Sequence, residues 1–330
     1  MTAARHISRH AARPPLLAFL ALILDLLAGP AAASPAVCTI GVSVESLHDL
    51  DMAGDSFGAD LWLWTVCPAS LPRAPLERIE FPTAGQLARD PVEQTDLGDG
   101  RTYASQRLSG TFRFNWAMDA YPFDRQRVVI PLEDSEYGAD SLVFEPDTAE
   151  SFLSHDVEDA LPEWRITDFA LDTGVDTADS AYGFPGGARD YAAADVRFTL
   201  ERTSVFPFLK LTSGVLAAAF IAFFSFFYDP HEKGTFGGKL GLLVGVLFAT
   251  LVNMRAADNV LGDIADLTLV TQIHLVTLVY IALLALLALR ERRHVDRGGT
   301  LPHPRWRHLS LIGLSYVVVN ALLVVRAMLS

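Results

Sequence analysis

The chain has 330 residues, a net charge of −13, and 51% of its residues are hydrophobic. That length exceeds a usual single domain, and the apolar share suits a protein partly embedded in lipid. The negative balance argues against a nucleic-acid partner, whose phosphates need Lys and Arg. Two cysteines, Cys38 and Cys67, argue against a structural zinc site, and His155, His303 and His308 have no ligand spacing with other donors.

Residues 1–33 read as a secretory signal. Arg5, Arg9 and Arg13 lead, Leu16 to Leu27 is apolar, and Ala31-Ala32-Ala33 offers a small-residue cleavage site. Asp25 inside the apolar stretch leaves an uncleaved anchor as the other reading.

Residues 34–203 carry the pattern of short strands. Thr39–Val44, Leu61–Val66, Thr111–Trp116, Arg127–Leu132, Leu142–Phe144, Trp164–Leu171 and Ala194–Leu200 alternate or run apolar, and turn-formers lie between them. This predicts an exported, all-β, antiparallel sandwich of immunoglobulin-like build. Cys38 and Cys67 stand at the outer ends of the first hairpin, whose turn falls near Asp51–Asp55. In an oxidising compartment the strand register decides between a cross-strand disulfide and two separate thiols.

Residues 204–330 change solvent. Phe206–Tyr228, Leu240–Met254, Leu267–Leu289 and Leu309–Met328 are apolar, and most approach the ~20 residues of a spanning helix. The second is interrupted by glycines and runs into Arg255-Ala256-Ala257-Asp258, residues that a helix shielded from lipid carries more cheaply. It is the candidate inner helix of a four-helix transmembrane bundle. With the sandwich outside, the last link falls inside and brings Arg290, Arg292, Arg293, Arg297, Arg305 and Arg307, as the positive-inside rule requires.

Between the two halves in function stands Ala120-Tyr121-Pro122-Phe123-Asp124-Arg125-Gln126. A proline between two rings makes a rigid apolar turn and a fair place for a cis peptide, with Asp124 on its rim. The wider run Phe114-x-Trp116-x-Met118-x-x-Tyr121-Pro122-x-Asp124-x-Gln126-x-Val128 resembles the pentameric ligand-gated ion channels, the Cys-loop receptor superfamily. Phe114 and Val128 stand where two cysteines close this loop in animal receptors, so the chain is similar to the bacterial members that lack them. Leu132 to Gly138, Leu200-Glu201-Arg202 and Lys239-Leu240-Gly241 also resemble family segments: a binding loop, the strand entering the first spanning helix, and the start of the pore helix.

The resemblance implies a homopentamer, each copy meeting four others around a pore bounded by the second helix. Lys239, Gly241, Gly245, Phe248, Val252 and Arg255 would line it, with Phe248 as an apolar constriction or simply as bundle core. Asp124 and Asp51 (or Asp49) would meet Arg202, with Tyr121 and Pro122, to couple sandwich and helices. A small ligand would bind between subunits near Tyr137, Tyr182, Phe184 and Tyr191. Trp62 or Trp64 with Phe81 would add to that site from the early strands, although Trp62, Trp64 and Trp164 read first as sandwich core. The chain departs from the family pattern in having glycines at 241 and 245 instead of hydroxyl residues, Leu261-Gly262 after the pore helix, and a first helix without an internal proline.

Selectivity cues conflict: Gly237-Gly238 before Lys239 resemble anion channels, while Asp258, Asp263 and Asp266 would concentrate cations. His274, an ionisable group inside the third helix, reads either as a proton sensor or as one end of an interhelical hydrogen bond. No nucleophile elbow, phosphate loop or catalytic carboxylate pair stands out, so the expectation is a non-enzymatic, multi-pass protein without cofactor or metal. It would sit in a bacterial inner membrane with its sandwich in the periplasm, in contact with lipid and inorganic ions. The alternative is a sensor of the same architecture that does not conduct.

Overall fold

The computed structural model describes residues 34–180, 190–227, 234–262, 267–298 and 305–329. The expected signal at 1–33, and with it Tyr182 and Phe184, lies outside the described residues.

Period-two burial builds the sandwich. In β1 (Ala36–Asp51), Cys38, Ile40, Val42 and Val44 are all fully buried, and in β2 (Ser56–Pro68) so are Phe57, Ala59 and Leu61. Strands β3 (Ile79–Glu80), β4 (Ala84–Arg89), β5 (Glu93–Asp96) and β6 (Arg101–Arg113) follow. Then come β7 (Arg125–Gly138), β8 (Leu142–Pro146), β9 (Phe152–Leu153), β10 (Trp164–Thr177) and β11 (Asp190–Arg202). One sheet runs β4-β6-β2-β1-β8, with β5 on β6 and β9 on β1; the other runs β10-β11-β7-β3. The ladders are antiparallel except that β8 and β9 lie parallel to β1. The expected purely antiparallel sandwich is corrected there, because the chain leaves β7 in one sheet and joins the other alongside β1.

The two sheets meet over an aromatic core. Phe57 lies 5.6 Å from Phe112 and 6.1 Å from Phe198 of the opposite sheet, ring centre to ring centre. Full burial of one such ring contributes about 1.5–3 kcal/mol. At the far end of the first hairpin, Thr39 faces Val66, so the next pair outward is Cys38 and Cys67. Their sulfurs are bonded at 2.09 Å with Cα atoms 4.4 Å apart.

Among the described residues, four helices are long and apolar enough to cross a membrane. They are α1 (Phe206–Phe224), α2 (Thr235–Leu261), α3 (Leu269–Asp296) and α4 (Arg305–Leu329). Pro207 opens α1, where the missing N–H costs nothing. Helix α2 is 27 residues long and so outruns the apolar stretch that announces it. Its charged end stays helical because Ala257 and Leu261 bury into the same core as the sandwich, and it stops at Gly262 with φ 89°. The sandwich core thus extends onto the helix ends through Ala257, Leu261 and Val270, while two separate clusters pack the helices themselves.

Candidate functional site

The site grows from the loop between β6 and β7. Trp116, Met118 and Tyr121 point inward and are almost wholly buried. Gln126 closes the loop: its Nε2 donates to the Ala117 carbonyl at 2.8 Å and its Oε1 accepts from the Ala117 N–H at 3.0 Å. Trp116 Nε1 donates to the Asp51 carbonyl at 3.0 Å, which ties this loop to the β1–β2 turn. The Tyr121–Pro122 peptide is cis.

Arg202, the last residue of β11, enters beneath this loop. Its Nε donates to Asp124 Oδ1 at 2.7 Å, and the two side chains are 3% and 2% exposed. The second Asp124 oxygen accepts from Gln126 Nε2 at 2.7 Å. The guanidinium stacks over Trp164 at 4.1 Å and over Tyr121 at 4.6 Å. A charge taken so far from water needs this full set of partners.

Asp51 does not join them. Its carboxylate turns back to accept from the Gly54 N–H at 2.9 Å, so the expected pairing of Asp51 with Arg202 is corrected. The turn reaches Arg202 instead through Met52 Sδ at 3.7 Å from Nη2. Glu163, just before β10, stands 3.9 Å from Nη1. Gln126, Met52 and Glu163 are the members of the joint that sequence reasoning missed. Gln126 lay within the quoted motif, and Glu163 precedes a tryptophan that packs on the arginine.

Beyond Pro122, Phe123 packs into a cluster made by Val215 of α1, Leu269 and Ile273 of α3, and Ala327 of α4. Tyr121 lies 6.5 Å from Phe208 of α1. A rigid loop of the sandwich therefore packs against the cluster where three helices meet, while Arg202 leads within four residues into α1.

Helix α2 is gripped on one side alone. Leu243, Val246 and Thr250 are buried against the other helices, whereas Gly241, Gly245, Phe248, Val252 and Arg255 form an exposed stripe. Phe248 is 61% and Val252 69% exposed, so in the single chain they are surface and not bundle core. Nothing lies within 4 Å of where a Cβ would stand on Gly237, Gly238, Gly241 or Gly245. Lys239 does not share the stripe, against expectation. Its Nζ turns inward to Glu291 Oε2 of α3 at 3.2 Å and sits 3.3 Å above the Phe226 ring, because a cation in an apolar bundle is cheaper paired.

On the sandwich, Tyr137 lies under the Arg78 guanidinium at 3.8 Å, and Arg78 pairs with buried Asp134 at 2.9 Å. Tyr191 stands opposite Gly138 in the β7–β11 ladder, so Tyr137 and Tyr191 occupy the same end of that sheet. Of the three tryptophans expected as core, Trp164 is buried, Trp62 is exposed, and Trp64 donates to Asp147 Oδ2 at 3.1 Å. The Trp64 ring crosses Gly41 so closely that a Cβ there would fall 2.1 Å from it.

A cleft of about 350 Å³ opens on the four-stranded sheet, with Glu133, Asp172, Asp176 and Asp195 on its walls. Burial, a hydrogen bond with Asp176 and the charges of Asp176 and Glu80 push the Glu133 carboxyl up to about 7. Burial also raises Asp195, against the pull of Arg197. Among the described residues no three metal-binding side chains stand together.

No protein-family model matches the chain, and no curated protein matches it.

Proposed function

We propose that the protein is a homopentameric ligand-gated ion channel. Five copies place their α2 stripes around a common axis, and an event in the sandwich moves those helices through the Arg202 joint. The observation that carries this reading is the divided character of α2: one face is locked into its own bundle, and the other is a continuous uncovered stripe. Glycines occupy the inner half of the stripe and Phe248 and Val252 the outer half, with Arg255 beyond them. Five such stripes would give a wide inner passage and an apolar narrowing, which closes by losing its water.

The loop at Tyr121–Phe123 supplies the coupling, since Phe123 packs against the cluster where α1, α3 and α4 meet and Tyr121 lies beside Phe208 of α1. The signal would enter between sandwiches, at the end of the sheet that carries Tyr137 and Tyr191. The sandwich would face the periplasm of a bacterium and the helices cross its inner membrane.

The test is electrical. Purified protein fused into planar bilayers should pass current when candidate amines, carboxylates or acid are applied, and Val252→Asp should raise the current without any ligand. A second reading, a sensor that does not conduct, draws on the glycine half of the stripe, which offers an ion no hydroxyl or carboxylate group. Silence under every ligand, with folded pentamers present, would favour it.

A further inference from the structure

A buried imidazole at the meeting of three helices is unused by the coupling joint. His274 of α3 is fully buried. Its Nδ1 lies 2.8 Å from the Val270 carbonyl, which can only accept, so Nδ1 carries the proton. Nε2 is then an acceptor, and Asn253 Nδ2 of α2 lies 2.9 Å from it. The same amide nitrogen donates to the Leu211 carbonyl of α1 at 2.9 Å. That carbonyl also accepts only, which fixes the amide: one hydrogen goes to α1 and the other to the imidazole.

Asn253 has little freedom to turn round. Its Oδ1 sits 2.7 Å, and its Cγ 3.1 Å, from where a Cβ would stand on Gly214 of α1. The amide therefore fits against α1 only because residue 214 has no side chain. One side chain of α2 thus ties that helix to both neighbours, on the face opposite Phe248 and Val252 and at the same height as Val252.

A proton added to Nε2 would set two N–H groups against each other at this distance. The bridge as built accepts the neutral ring alone, and a state with α2 detached accepts the charged one. By linkage, protons favour detachment. Among the described residues, the charge that acts on the ring is that of Asp258, further along α2. Helix α1 meets the bridge through the Leu211 carbonyl on Asn253, and its one ionisable side chain, Lys210, is exposed, while Tyr316 of α4 is engaged with Thr277 at 2.8 Å, about one turn along α3.

We infer that the Leu211–Asn253–His274 bridge is a proton-operated clamp on the outer half of α2, closed when His274 is neutral and released when it is protonated. As regulation of a pore it rests on the channel reading above; as a movement of α2 it does not.

Hydrogen–deuterium exchange tests it without current. Exchange of the segment 250–261, corrected for the chemical rate at each pH, is followed in vesicle-embedded protein from about pH 8 to about pH 4.5, a range that spans imidazole titration. Protection should fall about tenfold or more on acidification in the parent chain. In His274→Gln, which cannot take up the proton, it should stay flat. Gly214→Ala, which intrudes on the amide, should exchange at pH 8 as the parent does at pH 4.5. An unchanged parent, or equal loosening in His274→Gln, overturns the clamp. Loosening in the parent alone, with no current at any pH, leaves the clamp standing and counts against the channel; pH-independent current with flat exchange does the reverse.

Discussion

Two buried ion pairs stand at opposite ends of the helices, and they are built differently. At the sandwich end, Arg202 has Asp124 on its Nε, rings on Trp164 and Tyr121, and a partner whose other oxygen is held by Gln126. At the other end, Lys239 Nζ donates to Glu291 Oε2 at 3.2 Å and rests on the Phe226 ring. A planar guanidinium with several fixed partners behaves as a rigid joint, whereas an ammonium on a flexible stem is a point contact that re-forms after small slips. On the proposed reading, motion of the sandwich would enter the bundle through the Arg202 joint and be taken up at Lys239.

The largest expected effect breaks the rigid joint. Arg202→Ala strands a buried Asp124 and should cost about 3–5 kcal/mol in the unfolding of the assembled protein. It should also uncouple any ligand response. Normal assembly and a normal response in that variant would remove the joint from the mechanism. Removing the Cys38–Cys67 bond by double Ser substitution should cost about 2–4 kcal/mol, read as a lower melting temperature of the sandwich. That loss lies far from Arg202, so the two substitutions together should lose the sum of the single losses.

The lower contact should be gentler. Lys239→Met should cost about 1–3 kcal/mol, and adding Glu291→Leu should return most of it, since the stranded carboxylate is the cost. A double-mutant cycle on thermal unfolding measures this, and a coupling as large as that of Arg202 with Asp124 would erase the contrast drawn here.

The smallest effect is a pH dependence. Glu133 rises from its ordinary 4.5 to about 7 on folding. Below the lower value the group is protonated in both states and opposes nothing. Stability is then lost as pH rises through the window between the two values, and the loss is complete above the upper one. Because the carboxyl is only partly buried the loss should be modest. Glu133→Gln should flatten the melting temperature between about pH 5 and about pH 8; an unchanged slope would place the titrating group elsewhere.

Much of this was legible in the residues alone. Alternation in Ile40, Val42 and Val44 announces a half-buried strand, and four apolar runs announce four helices, because each depends on local period and composition. The Asp124–Arg202 pair was legible because both residues sit in recognisable segments at a domain boundary. Helix rotation was not legible. Whether Lys239 faces out with Gly241 or in towards Glu291 depends on which neighbours surround α2, and Glu291 lies 52 positions away. The same holds for Asn253, whose role needs the absent side chain of Gly214 and the ring of His274 to be brought together by three helices. The parallel lie of β8 and β9 is likewise a matter of which sheet the chain returns to, and strand periodicity says nothing of that.

The central claim is that the uncovered stripe of α2 faces an axis shared by five copies. Imaging the protein in lipid nanodiscs tests it most directly. The account predicts a five-fold particle with Gly245, Phe248 and Val252 of every copy turned to a central water path; a monomer or dimer, or a particle in which that stripe faces lipid, would contradict it.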